Sequence, residues 1–498
     1  MNLYAHQLEG VKFLVARSGA MLTLEMGLGK TRCALVAAQQ LFAEHKIDRV
    51  LVLAPAAVRI SWREEIFKLS YFGATQFFIS CVYEPNKQKI FKEYDITVGR
   101  QEKSITDNDL PIVIVSYALL PQQRHVKALA KWAASGKTLL LCDESSFLKN
   151  RTAKQTKGSA EIAASCEYKW LLTGTPIANS PLDLYGQALV MQNGTPRGPL
   201  DSFKNFYHFR ARYAQMQPMH IGRKTFQQVV GYQHLDELTA KFAPYVLRRT
   251  KAECLDLPAK TYTTREVQLD DATWRIYQEL RRDALLALPD EDVRPEPNAA
   301  VRILRLRQLT SGHVGGIIPE DLEHEGTGVR IVSSEKLDWI VSEILDGELS
   351  SQQALIIWCH WRSERERIQQ MLATKIEVYG VFGGQQPKNR SFNVQSFQTS
   401  TKRRVLVAQQ HSGGFGLNLT AASVAVYLSN SGSYIDRVQS IDRIHRIGQK
   451  LPCLYVDALA VGPKGQRTVD HHTLYDILGN KRDLAEQTCR AWRRALEE

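Results

Sequence analysis

The sequence predicts an α/β protein with two parallel-sheet domains in series. Three observations carry this: the chain length, a series of short apolar runs bounded by turn residues, and the division of those runs into two separated sets. At 498 residues the chain exceeds the about 100–200 residues of a single domain. The first set of runs covers 49–55, 110–117, 138–144 and 168–176, and the second covers 354–360, 403–409, 423–429 and 453–460. Their apolarity is continuous rather than alternating, which marks strands buried on both faces by covering helices. Helical segments fall between them, among them 335–345 and 364–372. A charged helical region from about 268 to 308 separates the sets, broken at 289–297 by three prolines that no helix tolerates. The expected organisation is a first lobe at 1–262 with a helical insertion, a helical linker at 263–334 and a second lobe at 335–498.

A hydrophobic content of 44% and a charged content of 23% are those of globular protein. Lys and Arg total 64 against 52 Asp and Glu, a net charge of +12, which favours a polyanionic partner such as nucleic acid. Eight cysteines occur singly, without Cys-x-x-Cys pairs or histidines at metal spacing. This argues against a zinc module or a disulfide framework and for a reducing compartment. No secretory signal is visible at the start, and no apolar run approaches the ~18 residues of a membrane span. The expectation is an intracellular protein without a membrane partner. Between 194 and 231, basic residues interleave with Phe, Tyr and His, a mixture that suits either a nucleic-acid contact or an ordinary domain edge.

The chemistry concentrates in a few segments. Met26-Gly27-Leu28-Gly29-Lys30-Thr31 reads as a loop that wraps a phosphate chain. Gly27 and Gly29 permit the sharp turn, Lys30 reaches the β and γ phosphates, and the Thr31 hydroxyl is a Mg2+ ligand. The usual pattern also wants glycine at position 24, where Leu24 stands. A strand-like run before the loop and a helix-like 33–42 after it place the loop at a helix N-terminus, where anions are favoured. Asp143-Glu144 closes an apolar run, so two carboxylates lie at the carboxyl end of a buried strand, where open α/β sheets bind ligands. Asp143 is the candidate to hold Mg2+ and Glu144 to activate water. Thr173, in Thr173-Gly174-Thr175-Pro176, ends the next strand and is placed to sense a γ-phosphate. In the second domain the glycine-rich turn from Gly413 through Gly416, Asn418 and Thr420 suits backbone contacts with phosphates of nucleotide or nucleic acid. Arg443 and Arg446, three apart, share one face of a predicted helix. Such guanidinium groups neutralise charge developing on a transferred phosphoryl group.

In this order the segments resemble the Swi/Snf-type DNA translocases of helicase-like superfamily two. The resemblance runs from His6-Gln7 to the region of Lys481, almost the whole chain. His6 and Gln7, with Gly10 and Phe13, are similar to the adenine-recognising opening motif of that family, and Met26 to Thr31 to its form of the phosphate loop. Pro55 with Trp62 and Glu65, and then Ser116-Tyr117, resemble first-lobe segments that face nucleic acid. The passage Leu247-Arg248-Arg249-Thr250-Lys251 resembles one that general helicases lack. Gly416-Leu417-Asn418-Leu419-Thr420 and Asp442-Arg443 through Gly448-Gln449 are the most specific matches.

The resemblance implies two tandem RecA-like lobes with an ATP cleft between them, plus helical insertions. It implies ATP as the bound nucleotide, held by His6, Gln7, Gly27, Leu28, Gly29, Lys30, Thr31, Gly416, Arg443 and Arg446, with Mg2+ on Thr31 and Asp143. Catalysis falls to Lys30, Asp143, Glu144, Arg443 and Arg446, and nucleic-acid contacts to Pro55, Ser116, Tyr117, Thr173, Arg248, Asn418 and Thr420. The implied activity is ATP-driven movement on double-stranded DNA that remodels or displaces bound proteins, with a further protein partner for targeting left open. A strand-separating DNA or RNA helicase and a catalytically silent DNA-binding scaffold stand as alternatives. Three positions depart from the family pattern: Ser145-Ser146 after the carboxylates, Gly432-Ser433-Tyr434 where Trp-Asn-Pro is common, and Ile441 in place of an acidic residue. No appended module is recognisable, so the expectation is a minimal motor of bacterial or viral type rather than a nuclear remodeller.

Overall fold

A computed structural model describes residues 3–72, 76–82, 109–174, 176–177, 180–193, 198–221, 224–286, 297–315, 329–410 and 417–479. The chain divides into two compact units, Met1–Asp256 and Leu257–Glu498.

The first unit is built on a seven-stranded sheet. Its strands in chain order are β1 (Gly19–Leu24), β2 (Arg49–Ala54), β3 (Gln76–Val82), β4 (Asp109–Ser116), β5 (Thr138–Asp143), β6 (Tyr168–Leu172) and, after a hairpin of β7 (Ala214–Ile221) and β8 (Lys224–Tyr232), β9 (Val246–Arg249). The spatial order is β3-β4-β2-β5-β6-β1-β9, and all the pairings within it are parallel. Every residue of β5 is buried, which is why this run shows no polar alternation. Leu139, Leu140 and Leu141 are fully buried, each stabilising by about 1.5–3 kcal/mol. Their sum offsets the several kcal/mol it costs to bury the Asp143 carboxylate at the strand end. Because β5, β6 and β1 are neighbours, the segments that follow them emerge side by side along one edge.

The 194–231 zone resolves into two parts. Phe209 and Tyr213, on the helix Phe206–Tyr213, are buried against Leu184, Leu238 and Phe242, so their aromatic character serves the core. Tyr207 is exposed, with the Arg151 and Arg210 guanidinium groups over its ring.

The second unit carries a six-stranded sheet made of β10 (Lys260–Gln268), β13 (Ala354–Trp358), β14 (Glu377–Val381), β15 (Arg404–Ala408), β16 (Val424–Tyr427) and β17 (Cys453–Val461). The short strands β11 (His313–Val314) and β12 (Arg330–Ile331) form a separate antiparallel pair. The order β10-β17-β16-β13-β15-β14 is parallel throughout. Both units therefore have the parallel, helix-covered sheet of a RecA-like lobe.

The domain limits need correction. The first unit ends at Asp256 and not at 262, because β10 pairs along its full length with β17 of the second sheet. The expected linker at 263–334 also belongs to the second unit. Its helices Asp271–Leu286 and Pro297–Leu309 bury Trp274, Tyr277, Ile303 and Leu306 together with Ala460 and Val469. Residues 289–296 of the proline-rich tip lie outside the described residues. Among the described residues no helix is long and apolar enough to cross a membrane, and the described cysteines assigned a state are free.

Candidate nucleotide site

The phosphate loop follows β1 directly. Gly27 and Gly29 have φ of 88° and 86°, the left-handed region that glycine enters without steric cost. Gly29 is the N-cap of the helix Lys30–Ala43 and supplies no capping side chain, so the first-turn amides keep their capacity for an anion. The loop is held from behind. His6 Nε2 and Gln7 Nε2 both donate to the Leu28 carbonyl at 3.1 Å, while Gln7 Oε1 accepts from the Tyr4 amide. The structure thus uses His6 and Gln7, expected to recognise adenine, as buried braces of the loop. Lys30 is largely buried and its ammonium donates to the Leu24 carbonyl at 2.9 Å. Thr31 is half-buried on the same first turn.

Asp143 ends β5 and is 4% exposed. Its Oδ2 accepts from the Trp62 indole at 2.7 Å and its Oδ1 from the Glu144 amide at 2.9 Å. Burial pushes its pKa up, while the Trp62 hydrogen bond and the Lys30 charge oppose the rise. Glu144 has φ 47° and ψ 55°, a left-handed conformation that costs a non-glycine residue about 1–3 kcal/mol and is concentrated at functional sites. On the neighbouring strand, the Thr173 amide donates to the Leu22 carbonyl. A Cβ on Gly174 would stand 3.6 Å from Lys30 Nζ and 3.3 Å from Met26 Cγ. The segments after β1, β5 and β6 therefore converge on Lys30. Thr175 lies outside the described residues.

A hydroxyl on Thr31 and a buried carboxylate at Asp143 form a hard-oxygen donor set of the type Mg2+ prefers. The upward push on Asp143 is what a divalent cation beside it would relieve. The residues present fit the metal.

Two residues expected to face nucleic acid turn inward instead. Tyr117 is 2% exposed, and its hydroxyl donates to the Asp143 main-chain carbonyl at 2.9 Å. Trp62, fully buried, grips the Asp143 carboxylate. Both side chains support the carboxylate strand. Pro55, Ser116 and Thr173 are also buried within the first unit, and the Ser116 hydroxyl caps the turn after β4. Arg248 and Asn418 are exposed, and Thr420 is half-buried. Beside Arg248, Arg249 pairs with Glu9, its carbonyl accepts from the Glu25 amide, and the Lys251 amide donates to Glu25 Oε2. That passage thereby fastens the phosphate loop to β9.

In the second unit the arginine pair converges, though not by way of a helix face. The helix Tyr434–Ile441 ends before Arg443: the Arg443 amide turns to the Ser440 carbonyl three residues back, and the Gln439 carbonyl accepts from Arg443 Nε instead. Both arginines instead reach the Leu417 carbonyl, Arg443 Nη1 at 3.3 Å and Arg446 Nη1 at 2.9 Å. Gln449 staples this turn, donating to the Ala422 carbonyl and accepting from the Lys450 and Leu451 amides. Gly416 and the glycines before it in that turn lie outside the described residues, as does the Lys481 region.

Sequence reasoning missed Arg437. Its guanidinium makes two hydrogen bonds to Asp457 at 2.6 and 2.7 Å and lies 3.4 Å over the Tyr427 ring. Asp457 in the middle of an apolar strand was the available signal, since a buried charge requires a partner. Ser145, at a position that departs from the family pattern, donates to Gln187, and no motif marked Gln187.

Two RecA-like lobes, one with a glycine-turned phosphate loop beside paired carboxylates and the other with converging arginines, define a helicase-like nucleotide hydrolase. The family is shown directly by sequence: the SNF2-related domain matches residues 6–311 and the helicase conserved C-terminal domain residues 335–448. The chain belongs to the SNF2-related family. An uncharacterised ATP-dependent helicase of Mycoplasma pneumoniae is 27% identical over 90% of this chain and 39% of its own length. The SWI/SNF-related matrix-associated actin-dependent regulator of chromatin subfamily A-like protein 1 of Xenopus tropicalis is 26% identical over 90% of this chain and 41% of its own. The chain thus spans about two-fifths of these relatives. Among solved structures, the Sulfolobus solfataricus SWI2/SNF2 ATPase core in complex with dsDNA is 23% identical, covers 93% of this chain and 88% of its own, and has a TM-score of 0.40.

Proposed function

We propose that this chain is an ATP-driven translocase on double-stranded DNA that remodels or displaces bound proteins. The observation that carries the hydrolytic part is the convergence of Lys30 with the Asp143-Glu144 and Thr173-Gly174 segments at the ends of adjacent strands. Lys30 leaves the Leu24 carbonyl for the β and γ phosphates, and the first-turn amides take the remaining phosphate oxygens. Thr31 and Asp143 would hold Mg2+, which would neutralise phosphate charge. Glu144 orients the attacking water and accepts its proton. For Arg443 and Arg446, which converge on the Leu417 carbonyl, the proposed role is to stabilise the charge that develops in transfer. The duplex-DNA part is supported by family membership and by the net charge of +12. This reading carries with it a site of action inside a bacterial or infected cell, where ATP and duplex DNA coexist, and leaves room for a targeting protein.

The test compares ATP turnover on duplex DNA, single-stranded DNA and RNA, alongside a strand-displacement assay. Strongest stimulation by duplex DNA without strand separation is the expected result. Displacement of strands assigns the chain to the unwinding helicases, and absence of any ATP turnover makes it a silent scaffold. Glu144→Gln is expected to keep ATP affinity and abolish turnover; turnover at the wild-type rate removes Glu144 from its role.

A further inference from the structure

The carboxylate segment and the segment after β6 are joined by one side chain outside every recognised motif. Gln187 lies on the helix Asp183–Gln192 and is fully buried. Its Oε1 accepts from the Ser145 hydroxyl at 2.8 Å, while its Nε2 donates to the Pro176 carbonyl at 2.6 Å and the Asp183 carbonyl at 3.2 Å. The two carbonyls need donors, so the amide has one orientation in which all three bonds form. Ser145 is adjacent to Glu144, and Pro176 lies two residues beyond Gly174, which abuts Lys30. The helix is also wedged against the segment after the carboxylates. A Cβ on Gly186 would stand 2.2 Å from the Leu148 carbonyl oxygen and 2.7 Å from that of Lys149, so only glycine allows this approach.

We propose that Gln187 is a positioning residue for ATP hydrolysis, a strut that holds the Glu144 segment in register with Gly174 and Pro176 after β6. The inference rests on the hydrolytic reading above and deepens it. A hydrogen-bonded link of fixed orientation passes displacement of either segment to the other, because the Ser145 hydroxyl and the Gln187 amide are fully buried and solvent does not replace their mutual bond. The linkage runs through Ser145, one of the positions that depart from the family pattern.

The test uses the full chain and Gln187→Glu. The ionised Q187E carboxyl still accepts from Ser145 but faces two carbonyl oxygens without a proton to donate. Once protonated it still accepts from Ser145 and regains one donor, enough for the nearer carbonyl, that of Pro176. At pH 8, kcat is expected to fall about tenfold or more with KM for ATP within about twofold of wild type, the signature of a lost transition-state arrangement. The ratio of variant to wild-type kcat is then expected to climb toward one as pH falls, a recovery that mere loss of packing does not produce. Ser145→Ala, which removes only the hydroxyl, is expected to lower kcat as well. Adding it to Gln187→Glu is expected to cost less than the product of the two single effects. Melting curves accompany both variants, and Ser145→Ala decides the matter if Gln187→Glu does not fold. Wild-type kcat in Ser145→Ala, or a pH-independent ratio in a folded Gln187→Glu, overturns the proposal. Absence of turnover in the wild-type chain instead overturns the hydrolytic reading beneath it.

Discussion

Asp143 is held by a tryptophan that enters the fold 81 residues earlier in the chain, and the bond sets how readily the carboxyl ionises. Burial raises its pKa and the Trp62 indole lowers it. In Trp62→Phe the opposing bond is lost, so the carboxyl titrates at higher pH. If ionised Asp143 is the active form, the acid limb of the ATPase pH-rate profile shifts to higher pH, and an unmoved limb excludes that role. The orphaned oxygen also costs about 1–3 kcal/mol, visible as a lower melting temperature. The same linkage acts on stability. A folded-state pKa above the unfolded value means that the contribution of Asp143 to folding is complete below the unfolded carboxylate range. It is lost as pH rises through the folded value. At this scale the sequence was legible for Lys30, Asp143 and Glu144, whose neighbours along the chain announce them. It set Trp62 and Tyr117 among segments facing nucleic acid and left Gln187 unmarked, because their bonds to the carboxylate strand arise from contacts between distant segments.

Among the elements, the phosphate loop depends on a backbone that only glycine enters easily. At Gly29 the backbone φ is +86°, and a Cβ would meet the Gln7 amide at 2.4 Å. Gly29→Ala combines a left-handed alanine, which costs about 1–3 kcal/mol, with displacement of the Gln7 side chain from the Leu28 carbonyl. Nucleotide affinity, read with a fluorescent ATP analogue, is expected to fall by about tenfold or more; unchanged affinity would show that Gln7 does not shape the loop. The helix Tyr434–Ile441 poses a different demand, since it is tied to its sheet by the buried Arg437–Asp457 pair. Arg437→Ala leaves the carboxylate buried with the Asn430 amide, a loss of about 3–5 kcal/mol for such pairs. Denaturant unfolding followed by a probe in the second unit is expected to show a loss of that size. Strands and helices were legible because burial on both faces leaves a continuous apolar record. The end of this helix was not. Arg443 and Arg446 keep a helical spacing in sequence, while the Arg443 amide bonds the Ser440 carbonyl and the Arg443 side chain takes the Gln439 carbonyl that would continue the helix.

For the whole molecule, the net charge of +12 bears on the polymer and not on the nucleotide, and salt separates the two. A protein that neutralises about six to ten duplex phosphates releases their counterions and loses roughly 10³–10⁵ in affinity between 50 and 200 mM salt. The phosphate loop is a different case. Lys30 and Asp143 are buried, and charges removed from solvent are screened far less. Duplex affinity, measured by fluorescence anisotropy over this salt range, is therefore expected to fall steeply. The KM for ATP without DNA is expected to change by less than about threefold. A duplex affinity as insensitive to salt as the KM would mean that phosphate contacts do not hold the DNA, removing the physical basis for movement along a backbone irrespective of base sequence.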